Sequence, residues 1–173
     1  AEPWIVENVD ALIEAWEPGA MGGQALAEIV FGEVNPSGKL AITVPYSVGH
    51  MQAIYNHKPS ALVRKYADAP THNLYEFGYG LSYSQFEYSD VRLSNSKIAQ
   101  NESTKLFVTV KNMGQYAGDE VVQLYIRDKF SQVTRPVKEL KGFQRVSLKP
   151  GEERAIDFEI TPDMLAYYNL QMN

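Results

Sequence analysis

Tyr75-Glu76-Phe77-Gly78-Tyr79-Gly80-Leu81-Ser82-Tyr83 is the stretch on which the reading of this 173-residue chain turns. It sets aromatic rings at Tyr75, Phe77, Tyr79 and Tyr83 among two glycines and a serine. Such rings are large, stiff and amphipathic, suited to joining two surfaces. Gly78 and Gly80 allow positive φ or a close approach of neighbouring backbone. These residues fit either a seam between two domains or a core strand carrying a bulge. The sequence changes character on either side, which favours the seam. Tyr75, Phe77, Tyr79 and Tyr83 are therefore expected at a domain interface, between a domain over residues 1–83 and another over 84–173.

Upstream, Val9-Asp10-Ala11-Leu12-Ile13-Glu14-Ala15-Trp16 fits a buried strand or a helical turn. The turn-rich Glu17-Pro18-Gly19-Ala20-Met21-Gly22-Gly23 that follows decides for a strand, because no helix would cross it. Gln24 to Phe31 then puts Leu26, Ile29 and Val30 on one helical face, with Gly32 as the stop. Strand, glycine loop and helix make half of a parallel α/β unit. One such unit cannot cover both faces of a parallel sheet, so this half reads as part of a larger body. Asn35-Pro36-Ser37-Gly38 is a turn signal, and Leu40 to Val44 a short strand closed by Pro45. Residues 46–74 show little periodicity and hold all three histidines; a loop of that length is usually functional or spread over a surface.

Downstream the pattern is all-β. Leu106, Val108 and Val110 alternate with polar positions, as do Val122, Leu124 and Ile126, and Ile156, Phe158 and Ile160. Turn clusters separate them at Asn112-Met113-Gly114, Ala117-Gly118-Asp119 and Lys149-Pro150-Gly151-Glu152. Short alternating strands at this spacing predict an antiparallel, immunoglobulin-like sandwich from about residue 84. The fold class is thus an α/β portion followed by an all-β sandwich.

Composition narrows the function. No apolar run approaches the length that spans a bilayer. Zero cysteines exclude disulfides, thiolate zinc sites and a cysteine nucleophile. The opening Ala1-Glu2-Pro3-Trp4 has neither Met nor a signal-peptide pattern, and reads as a processed, cut or engineered end. Net charge is −5, and residues 1–83 carry four Lys/Arg against nine Asp/Glu while the remainder balances at twelve each. With no basic stripe, nucleic acid is not an expected partner.

Five segments, in order, resemble the C-terminal end of glycoside hydrolase family 3, the group of β-glucosidases and β-xylosidases. They are Ala15 to Gly19 with Gly22-Gly23; Phe31-Gly32 with Asn35 to Leu40; Tyr75 to Tyr83; Ala117 to Tyr125; and Arg135 to Phe143. The resemblance implies the tail of an α/β sandwich domain over residues 1–83 and a fibronectin type III-like module from 84. It implies a retaining, exo-acting reaction on β-linked sugars, which needs two carboxyls about 5 Å apart. In that family the nucleophilic aspartate lies in an N-terminal barrel and the acid/base glutamate upstream of the Trp16-Glu17-Pro18-Gly19 loop. No residue here matches either motif, so no catalytic residue is assigned. The partners it implies are the glycoside substrate and the barrel and α/β parts of the longer enzyme. A periplasmic or secreted location follows from the same resemblance.

Four residues are candidates for lying near substrate. Glu17 sits on a loop after a predicted parallel strand, where α/β folds place ligands. Alternation sends Glu14 and Glu17 to opposite faces, against their forming an acid/base pair. Tyr55, His57 and Arg64 belong to a loop offering aromatic faces, amides and charges, the groups that hold sugars; the alternative is a packing arm. Gly19, Gly22 and Gly23 lack dinucleotide or P-loop spacing and read as close packing. His50, His57 and His72 fit no metal spacing, and neither metal nor cofactor is expected. Lys138, Lys141 and Arg135, interrupted by Glu139, read as a protected strand edge. Phe143, Tyr167 and Tyr168 are expected as core or interface anchors. The competing function is an independent carbohydrate- or protein-binding sandwich; no aromatic stands clearly at an alternating outward position to support it, Tyr125 being the nearest candidate.

Overall fold

The structure, a computed structural model, describes residues 3–50, 53–59 and 66–172. Its order is α1 (Pro3–Asn8), α2 (Gly22–Val30), β1 (Phe86–Leu93), β2 (Thr104–Asn112), β3 (Gly118–Ile126), β4 (Glu139–Leu148), β5 (Glu153–Ile160) and α3 (Pro162–Leu165). A helical start is followed by two antiparallel sheets, one ordered β1-β2-β5 and the other β3-β4.

The three alternating runs are β2, β3 and β5. Their inward residues Val108, Val110, Val122, Leu124, Ile156, Phe158 and Ile160 meet Val146 and Leu148 of β4 in one core. Register sets Val108 opposite Ile156 and Leu106 opposite Phe158, so large side chains stack in layers between the sheets. β1 is exposed along nearly all its length and pairs with β2 alone, the state of an edge strand. A bulge between Ser89 and Arg92, with Asp90 at φ 53°, twists that edge. The β4–β5 turn is closed by Glu152 N–H to the Lys149 carbonyl at 3.0 Å.

Several expectations are corrected. Val9–Trp16 forms no strand: it bends at Asp10, turns at Trp16 with φ 50°, and among the described residues pairs with no other backbone segment. Leu40–Val44 is not a continuous strand either. Its ends pair with the aromatic stretch, Leu40 N–H to Tyr79 O and Val44 N–H to Tyr75 O, both at 2.8 Å, while residues 41–42 bend away between them. Gly118 and Asp119 open β3 instead of forming a turn. Phe143 is 66% exposed and Tyr168 73% exposed, so neither is core. α2 begins two residues before the expected start and ends as predicted, with Gly32 at φ 79°.

Leu148 is 2% exposed at the centre of the core. Leu148→Ala is expected to lower unfolding free energy by about 2–5 kcal/mol, read from the denaturant midpoint, with an unchanged slope.

Candidate functional site

The aromatic stretch runs between the helical part and the β3–β4 sheet. Gly78 has φ 81°, and a Cβ there would collide with the Gln123 side chain. A Cβ on Gly80 would strike the carbonyl of Gly38. Gly78 is therefore required where the stretch meets β3, and Gly80 where it meets residues 38–39 of its own half. Gln123 Nε2 donates to the Gly78 carbonyl at 3.0 Å, and its Oε1 accepts from the Tyr125 hydroxyl at 2.5 Å.

Two polar hubs lock the remaining length. Asn35 uses its whole amide: Nδ2 donates to Ser84 Oγ at 3.1 Å and Ala117 O at 2.9 Å. Its Oδ1 accepts from Ser82 Oγ and Tyr83 N–H, both at 2.8 Å. The second hub is Glu120, 8% exposed on β3. One carboxylate oxygen pairs with Lys39 Nζ at 3.1 Å and the other accepts from the Tyr88 hydroxyl at 2.7 Å. Lys39 also donates to Gly80 O at 2.9 Å. Burial first, then the hydrogen bond to Glu120, pushes the Tyr88 phenol well above the usual tyrosine range. An open cleft of about 350 Å³ follows this line, with Lys39, Tyr79, Glu120 and Gln123 in its wall. Lys39, Glu120 and Gln123 are already engaged with protein groups.

The four expected interface rings do different things. Phe77 reaches the sandwich, edge-on to Tyr125 at 6.5 Å. Tyr83 turns back and donates to the Ile29 carbonyl at 2.7 Å, holding the end of α2. Tyr75 and Tyr79 stack on each other at 5.3 Å, and Tyr79 stays 43% exposed.

The substrate-proximal candidates separate. Glu17 is exposed on the loop before α2, next to Trp16, which holds φ 50° and is 58% exposed. Glu14 caps that strained turn by accepting from Trp16 N–H at 3.2 Å. Tyr55 and His57 are drawn against the sandwich. Tyr55 stacks on Phe77 at 4.1 Å and 15°, meets Tyr125 edge-on at 6.2 Å, and its hydroxyl accepts from Leu140 N–H at 3.3 Å. The His57 carbonyl accepts from Val137 N–H at 2.9 Å. His57 Nδ1 lies 3.0 Å from the Lys58 carbonyl and donates to it, so in the neutral ring Nε2 is the acceptor. Arg64 lies outside the described residues.

His50 is buried between Ser47 Oγ at 2.8 Å and the Pro70 carbonyl at 2.7 Å, with the Tyr66 ring 4.1 Å away, and ties the loop to itself. At the head of β4, Glu139 gathers Arg135 at 2.7 Å and Lys141 at 3.6 Å, while Lys138 lies over the Tyr125 ring. The hubs were not singled out from sequence as bridging residues. A signal for Glu120 was present, since an acid stands in the inward phase of Val122 and Leu124. Asn35 reads only as a turn residue.

Residues 1–83 match the glycosyl hydrolase family 3 C-terminal domain, and residues 120–173 match a fibronectin type III-like domain. A periplasmic β-glucosidase of Salmonella typhimurium is 40% identical over 176 residues, 96% of this chain and 23% of that protein. A β-xylosidase of Formosa agariphila is 40% identical over 169 residues, 96% of this chain and 23% of that protein. A solved β-glucosidase from Erythrobacter marinus superposes with TM-score 0.94 at 41% identity, covering 98% of this chain and 22% of that one. The chain thus spans less than a quarter of the length of these relatives.

Two expectations follow from the Glu120 hub. Lys39→Met leaves a buried carboxylate without its cation and is expected to lower stability by about 3 kcal/mol. Lys39→Met with Glu120→Leu removes both charges and should recover most of that loss in denaturant titrations. Equal losses in the single and double variants would contradict the pairing. The raised Tyr88 phenol favours the protonated form in the fold, so its contribution is complete below the unfolded value near 10 and is lost as pH rises beyond it. Tyr88→Phe should therefore flatten the fall of stability above pH 10.

Proposed function

The chain belongs to glycosyl hydrolase family 3, and from that premise we propose that it is the bracing C-terminal part of a retaining, exo-acting β-glycosidase. The activity of the longer enzyme is removal of terminal β-linked sugars, of the β-glucosidase or β-xylosidase type. Residues 1–83 act as the end of its α/β domain and residues 84–173 as its fibronectin-like module, joined along Tyr75–Tyr83. Both catalytic carboxylates are assigned to other parts of that enzyme. Glu17, Tyr55, His57 and Arg64 remain the residues of this segment proposed to lie near substrate, with Tyr55 acting through its packing.

One observation carries the bracing role. Lys39 and Phe77 on one side are tied to Glu120 and Tyr125 on the other through largely buried or half-buried contacts, and Asn35 reaches Ala117 at the surface. A freely tethered binding module has no need of a desolvated ion pair at its junction. The likeness to β-glucosidases over nearly the whole chain supports the same reading. The name of the Salmonella relative supports a periplasmic or secreted location.

The purified 173-residue chain is expected to hydrolyse no aryl β-glucoside or β-xyloside, whereas the full-length enzyme containing it hydrolyses at least one. Release of nitrophenol by the chain alone, persisting through repurification, would contradict the assignment of the carboxylates elsewhere.

A further inference from the structure

Residues 53–59 form an arm without regular strand or long helix, lying between the aromatic stretch and the sandwich. An arm of that kind has little to hold it, since its own backbone bonds are few. Its fixed points come from outside. Tyr55 offers one ring face to Phe77, its edge region to Tyr125, and its hydroxyl oxygen to Leu140 N–H. Two residues on, the His57 carbonyl takes Val137 N–H. Tyr125, Val137 and Leu140 all belong to β3, β4 or the segment leading into β4. The arm is therefore registered on the β3–β4 sheet by an aromatic cluster and two backbone amides.

We infer that Tyr55 is a positioning residue through which the fibronectin-like sandwich sets the pose of the 53–59 arm, and with it His57 Nε2. Tyr55 itself is committed to protein contacts, one ring face stacked on Phe77 at 4.1 Å and its hydroxyl on Leu140 N–H. His57 is different. With Nδ1–H directed to the Lys58 carbonyl, its Nε2 is, in the neutral ring, a hydrogen-bond acceptor of the kind a sugar hydroxyl meets. The inference rests on the proposed reading that this arm borders the glycoside site. It assigns the sandwich a task in the reaction: holding an acceptor at a fixed position, without touching substrate.

Two measurements on one pair of variants, Tyr55→Ala and Tyr55→Phe, test it. In the 173-residue chain, amide hydrogen exchange of residues 53–59 should speed up at least about tenfold in Tyr55→Ala, while β2 and β5 amides keep their protection. In the full-length enzyme the same variant should lose about 10- to 100-fold in kcat/KM on an aryl β-glycoside, mostly through KM. Tyr55→Phe keeps the ring stack and should restore most of both. Unchanged exchange in the arm of Tyr55→Ala would overturn the positioning claim. Faster exchange with unchanged KM and kcat would overturn the placement of the arm beside substrate, and the inference with it. Collapse of β2 and β5 protection together with the arm would show a core residue instead and equally overturn it.

Discussion

A carboxylate placed in the apolar phase of a strand must find a cation or lose its charge, and that constraint governs how this molecule is put together. Glu120 shares its strand face with Val122 and Leu124, and its cation comes from Lys39, some eighty residues earlier in the chain. Pairs of this kind add little net stability, because desolvation offsets most of the attraction. What they add is intolerance of alternatives. A sandwich rotated on its neighbour would leave both charges buried and unpaired, so the ion pair selects one relative placement. Tyr88 from β1 closes the remaining oxygen and links the selection to the second sheet.

The Asn35 hub works on the same principle with neutral groups. All four of its amide bonding positions are taken by residues from 82 to 117, so a small displacement breaks several bonds at once. Between these two hubs lie Gly78, whose missing side chain admits Gln123 of β3, and Gly80, which lets the stretch meet the Gly38 backbone. The seam is thus defined by exclusion as much as attraction. A module held this way is suited to transmitting position, and the arm carrying Tyr55 and His57 is what it holds.

The all-β half was legible because its physics is local: alternation sets faces, and glycine and proline clusters set turns. Leu106, Val122 and Ile156 each began a run that became a strand. The first half was less legible for a reason the structure makes plain. An extended segment becomes a strand only beside another, so Val9–Trp16 carries strand-like residues without strand pairing. The rings and glycines of Tyr75–Tyr83 mark the stretch as a candidate seam, yet the division of labour among Phe77, Tyr79 and Tyr83 depends on which way each faces, and period alone does not encode that. Long-range polar hubs are harder still. Asn35 is an ordinary turn residue until Ala117 arrives beside it, whereas Glu120 announced itself by its phase.

If the seam holds the two halves in one placement, they must also unfold as one unit. Differential scanning calorimetry of the chain measures this directly. A single transition with equal calorimetric and van't Hoff enthalpies is the predicted result. Two resolved transitions, with the sandwich melting independently of residues 1–83, would contradict the account.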